Sequence, residues 1–157
     1  MTQPDVASLP AAADLPSVMA ESLFPAIIES SNDAILSKTL DGVITSWNPA
    51  ATRIFGYSAE EMLGQSVLCL FPAERLGEET LILQKIARGE RVDSFETVRL
   101  HKSGRPISVS VTVSPVRNAA GRIVGASKIA RDITAEIDNY RQLDQFRSLV
   151  TSSFDAI

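Results

Sequence analysis

Cysteine and histidine are nearly missing from this chain. Among 157 residues there is one of each, Cys69 and His101. One cysteine forbids an internal disulfide and suits a reducing, cytoplasmic setting. One histidine, beside a hairpin turn, leaves a catalytic triad without a convincing base and a metal without partner ligands. No apolar run approaches the ~18 residues of a membrane span, and the first ten residues lack the basic-then-apolar layout of a signal peptide. The piece therefore reads as soluble. Basic residues are outnumbered, 15 against 19, for a net charge of −4. Arg88, Arg91, Arg99 and Arg105 are scattered without interleaved aromatics, so no nucleic-acid face is expected. Gly42, Gly56 and Gly64 are isolated turn residues and build no phosphate loop. Glu60-Glu61 and Glu78-Glu79 read as solvated helix charges.

What is present is an ordinary globular composition, 45% hydrophobic, at one domain's length. Residues 1–13 carry no periodicity and are expected to be disordered. Asp14 and Pro16 open a flanking helix over residues 14–29, which Pro25 should kink or interrupt. Ala34–Thr39 and Val43–Trp47 read as strands around an Asp41-Gly42 turn. Asn48-Pro49 caps and opens a helix that Gly56 stops. Ser58 to Glu61 is a capping box for another. A longer helix from about Glu74 to Arg88 has Leu76, Leu81, Leu83, Ile86 and Ala87 as its apolar set. Three strands follow, Val92–His101, Ile107–Val116 and Ile123–Ile133. The second alternates strictly, with Ile107, Val109, Val111 and Val113 on one face. From Thr134 the pattern turns helical, with Ile137, Tyr140, Leu143, Phe146 and Val150 at coiled-coil spacing. Strands and helices are segregated, which indicates an α+β fold on an antiparallel sheet.

The chain also repeats itself. FPAIIESSNDAI (24–35) returns as FRSLVTSSFDAI (146–157), with six of twelve positions identical at an offset of 122. The expected organisation is a flanking helix, a core over 30–133, a linker helix over 134–151, and the start of a second module over 146–157 that overlaps it.

The stretches ESSNDAI (29–35), DGVITSWNPAATRIFGYSAEEMLGQ (41–65) and HKSGRPISVSVTVSPVRNAAGRIVGASKIARDIT (101–134) together resemble a PAS domain over about residues 22–134. The resemblance implies a five-stranded antiparallel sheet with short helices on one face, in a sensory module of a bacterial multidomain signalling protein. It implies a pocket, and a relay through Asp132, Ile133 and Thr134 into the exit helix. Asp132 would also cap that helix. Trp47, Leu83, Val98, Val111 and Ile129 are the pocket candidates. Val18, Met19, Leu23, Ile137 and Tyr140 are candidates for a homodimer interface through the flanking helices. Heme is not supported, because the long helix offers no axial histidine. A LOV-type photoadduct is not supported either, because Val67 stands where the reactive cysteine would be. Cys69, between Leu68 and Leu70, is expected to be a buried inert thiol. A non-covalent flavin against Trp47, Asn48 and Phe95 and a small metabolite both stay open as ligands. The fragment is expected not to be an enzyme; its parent would be one, a histidine kinase or a cyclic-di-GMP synthase or phosphodiesterase. A ligand-free dimerisation and spacing module is the competing reading.

Overall fold

The computed structural model describes residues 15–155. The expectations for residues 1–13, for Asp14, for Ala156-Ile157 and for the side chains of Val18 and Met19 lie outside what is described. The element order is α1 (Leu15–Ser30), β1 (Ala34–Thr39), β2 (Ile44–Trp47), α2 (Pro49–Phe55), α3 (Ala59–Met62), 3-10 turns at Val67–Leu70 and Ala73–Arg75, α4 (Leu76–Ala87), β3 (Val92–Leu100), β4 (Pro106–Arg117), β5 (Ile123–Asp132) and α5 (Thr134–Asp155). The five strands form one sheet in the order β2-β1-β5-β4-β3, every pairing antiparallel. This is the α+β architecture the sequence implies.

Helices α2 and α4 and the turns pack on one sheet face. The core there joins Leu36, Ile44, Phe55, Met62, Val67, Leu70, Ile82 and Ile86 to Val109, Val111 and Val113. Burial of this apolar set is the main stabilising term. Strand parity decides which residues join it. Directly paired residues share a face, and β4 alternates with Ile107, Val109, Val111 and Val113 inward. Arg99, Thr97, Ala130 and Lys128 are among the partners in register. Those four therefore point inward too, and all are buried.

Local caps act as the sequence implies. The Ser58 capping box closes reciprocally with Glu61. Asn48 does more than cap: its Oδ1 accepts from the amides of Ala51 and Ile35, and its Nδ2 donates to the carbonyls of Ile28 and Asp33. One buried side chain thus joins the end of α1 to β1 and α2. Helix α1 runs through Pro25 without ending. The bond lost there would go to the carbonyl of Glu21, which is solvent-exposed and so can take water instead.

Three expectations are corrected. Cys69 is exposed. In the tight 3-10 turn, Val67 and Leu70 face inward and Leu68 and Cys69 face out, since side chains three apart eclipse one another. Helix α4 buries Glu79, Ile82 and Ile86, a stripe at i, i+3 and i+7, so Leu76 and Leu81 stand exposed. Glu79 is accordingly not a solvated charge.

Candidate functional site: a buried polar cluster

The inward face of the sheet carries three basic side chains. Lys38 on β1, Arg99 on β3 and Lys128 on β5 are each 2% exposed or less. Bringing such groups out of water is costly unless they are paired. Helix α4 supplies the acids. Lys38 Nζ donates to Glu79 Oε1 at 2.5 Å, with both side chains buried. Arg99 Nη1 reaches Glu78 Oε1 at 3.2 Å, and also Thr97 Oγ1 and the carbonyl of Val98. Thr97 Oγ1 donates to Glu78 at 2.8 Å. Arg75 holds the other Glu78 oxygen at 3.0 Å. Phe71 closes the cluster. The Arg99 guanidinium lies 3.8 Å from its ring centroid and Lys128 Nζ lies 5.5 Å from it, distances at which a cation is drawn to the ring.

The pairing is incomplete. Lys128 Nζ, Arg99 Nε and Nη2, and Glu79 Oε2 are buried with no hydrogen-bond partner among the described residues. Burial pushes the Lys128 ammonium well below the ordinary lysine range, and the charges of Arg99 and Lys38 push it further. Burial also lowers Lys38, outweighing the attraction of Glu79, and lowers Arg99 against the pull of Glu78. Burial raises the Glu78 carboxyl, but the bonds from Thr97 and Arg75 and the charge of Arg99 carry it below its usual value.

Glu78 also lines a cleft of about 470 Å³ between α4 and the start of β3, with Leu81, Ile82, Val92 and Phe95 as its apolar walls. One carboxylate therefore touches both the cleft and the buried Arg99. Among the described residues, no group of acids, histidine and cysteine could hold a metal.

Strand β5 leads from Lys128 to the exit helix, about 17 Å over five residues at strand rise. Its end is fastened to β4. The Ile133 amide donates to the carbonyl of Ser108, and Thr134 Oγ1 accepts from the Ser108 amide at 3.1 Å. Asp132 Oδ1 accepts from the Thr134 amide, the first amide of α5, at 2.9 Å. Ile133 is buried.

Of the pocket candidates, Trp47 and Val111 face the core, and Trp47 Nε1 is bonded to Thr52 and the carbonyl of Tyr57. Val98 and Ile129 are corrected: they alternate with Thr97/Arg99 and Lys128/Ala130 and so lie on the outer face, where Ile129 is 45% exposed. Leu83 is only half-buried, being off the inward stripe of α4. Of the interface candidates, Leu23 and Tyr140 are exposed and Ile137 is half-buried. Lys38, Glu79, Arg99 and Lys128 escape a reading of residue type, which sends charges outward. The alternation of β4, extended by register to its neighbours, is the signal that finds two of them.

Residues 22–133 match the family model described as PAS fold. The chain is 31% identical over 125 residues to the signal transduction histidine-protein kinase AtoS of Escherichia coli (strain K12), covering 80% of this chain and 20% of the relative. It is also 31% identical over 122 residues to the biofilm dispersion protein BdlA of Pseudomonas aeruginosa, covering 73% and 29%. The chain thus spans under a third of the length of these relatives. The solved PAS domain of a protein from Colwellia psychrerythraea superimposes with a TM-score of 0.68 at 27% identity, over 74% of this chain and 98% of that one. An RNA-binding Light-Oxygen-Voltage receptor matches 98% of this chain and 42% of its own, with a TM-score of 0.64 at 27% identity. No helix of the described residues is long and apolar enough to cross a membrane. By fold, by residues 22–133 and by these relatives, the chain belongs to the PAS family.

Proposed function

We propose that this chain is a sensory module that takes a small ligand into its interior and passes the change through α5 to an effector in the same polypeptide. The observation that carries the reading is the underpaired cluster on the inner sheet face, whose β5 member, Lys128, stands five residues before the tether of Ile133 and Thr134 to Ser108. A change in charge or packing at Lys128 alters the strand that ends in that tether, and α5 starts there. Two positions of the tether, differently favoured by the ligand, suffice for a switch. The histidine kinase among the relatives suggests a kinase as effector, in the cytoplasm.

The exposed apolar residues of α1 and α5, Leu23, Phe24, Tyr140, Leu143 and Phe146, support a homodimer through the flanking helices, in which Val18, Met19 and Ile137 would take part. The likeness of 146–157 to 24–35 supports a second module following the first. The same exposed helices would also serve a ligand-free spacer. Native mass spectrometry of the purified chain, with an absorbance spectrum on the same sample, separates the readings. The sensor is expected as a dimer carrying extra mass per subunit. A chain at bare polypeptide mass that takes up no added small molecule would overturn it in favour of the spacer.

A further inference from the structure

The charges of the interior do not balance. Lys38, Arg99 and Lys128 are buried on the sheet, while Glu79 is the one acid buried with them and Glu78 is a quarter exposed. Glu79 is taken by Lys38, and Glu78 is shared between Arg75 and Arg99. Lys128 is left without an acid of its own. The unused groups are also specific in kind. Arg99 spends only Nη1 on protein acceptors, and its two unpartnered nitrogens are Nε and Nη2. Those two lie on one edge of the guanidinium plane with their N–H bonds parallel, the fork that takes two oxygens of one carboxylate or phosphate. Lys128 Nζ, over the same Phe71 ring as Arg99, adds up to three further donors.

We propose that this interior site binds a small oxyanion, a carboxylate or a phosphate, with two of its oxygens on the Nε–Nη2 edge of Arg99 and its charge beside Lys128 Nζ. The proposal rests on reading the chain as a ligand sensor and names the chemical class sensed. An anion there offsets the surplus cation and satisfies three buried donor atoms at once. Lys38 remains with Glu79, and Glu78 keeps its hold on Nη1, so the ligand displaces no existing ion pair. The cleft that Glu78 borders, with Leu81, Ile82, Val92 and Phe95 as apolar walls, would take the uncharged remainder of a larger carboxylate. Aromatic cofactors without a negative group leave the Arg99 edge and Lys128 as they are, so they do not account for the cluster.

The test titrates the ¹⁵N-labelled 157-residue chain separately with sodium acetate, sodium succinate and sodium phosphate, against sodium chloride at matched ionic strength. The Arg99 Nε–Hε signal is followed by NMR and identified by its loss in Arg99→Lys. At least one oxyanion is expected to shift it saturably where chloride does not, and the carboxylate and phosphate arms tell the two chemistries apart. Lys128→Met, which keeps length and apolar packing, should weaken that binding roughly tenfold or more, as for loss of a charged hydrogen bond. Equal affinity in Lys128→Met, or no response beyond that of chloride to all three salts, would overturn the proposal. If that silence accompanies a neutral molecule retained in the native mass spectrum, the oxyanion fails and sensing stands. If no molecule is retained or taken up, both fail.

Discussion

Arg99 lays its guanidinium carbon 3.8 Å from the centroid of the Phe71 ring, with the whole side chain out of solvent. The contact explains why an arginine is tolerable here. A guanidinium is planar and weakly hydrated, and it can stack on a ring while its in-plane donors stay available. Lys128, 5.5 Å from the same centroid, has a compact and strongly hydrated head and gains less. The two residues reach the ring from β3 and β5, on either side of β4, so Phe71 bridges an edge strand and the central strand of the sheet.

Lys128→Met should stabilise the chain near neutral pH, by roughly 1–4 kcal/mol as for other replacements of buried charge by apolar volume. The sign follows from linkage. Lys128 is held well below its ordinary value in the folded chain by burial and by Arg99 and Lys38, against the pull of Glu79 and Glu78. Between the two values the unfolded chain binds more protons, so wild-type stability climbs with pH across that window. The advantage of the variant should therefore shrink as pH rises toward ~10, the ordinary lysine range. Thermal melts of both chains at several pH values check this; a variant less stable than wild type at pH 7 would contradict it.

Glu79→Ala should cost about 3–5 kcal/mol, because it strands Lys38 as an unpaired buried cation. The double change Lys38→Met with Glu79→Leu should recover most of the loss. Urea unfolding of the three variants decides, and a double variant no better than Glu79→Ala would mean that packing rather than charge sets the cost.

Asn48 separates two roles within one side chain. Asn48→Asp keeps the acceptor that caps α2 and receives Ile35, but loses the donors to Ile28 and Asp33. It should speed amide exchange at the end of α1 while α2 stays protected. Asn48→Ala should lose both roles, at about 2–4 kcal/mol for a cap and a stranded buried group. Equal exchange in the two variants would refute the division.

Gly56 ends α2 with φ of +82°, and a Cβ there would stand 2.5 Å from His101 Nε2. Gly56→Ala should therefore destabilise by about 1–2 kcal/mol from backbone strain alone, with a further cost from His101. Adding His101→Ser should remove only the second part. Full recovery in the double variant would show that the backbone carries no strain.

The element order, the antiparallel α+β class, the Asn48 and Ser58 caps and the glycine stops could all be read from the sequence, because turn chemistry and period act locally. The interior of the site could not be read from residue type. Val98 and Ile129 look like core residues and Arg99 and Lys128 look like surface ones, but the phase of a strand is set by pairing with β4, a relation between distant residues. Glu79 was hidden for a similar reason. Leucines at 76, 81 and 83 suggest one face of α4, while the sheet receives the stripe of Glu79, Ile82 and Ile86. Leucine neighbours suggest a buried Cys69, but the 3-10 turn sends Val67 and Leu70 inward and leaves Leu68 and Cys69 outside.

Coupling between the interior cluster and the exit helix is measured most directly by amide hydrogen exchange. Wild type and Lys128→Met would be compared residue by residue in the 157-residue chain. Protection is expected to change at Ile133 and Ile137, whose amides bond to Ser108 and to Ile133, beyond any uniform change shared with α3 from the altered global stability. Change confined to β5 and its strand partners, with Ile133 and Ile137 unmoved beyond that shared change, would contradict the coupling.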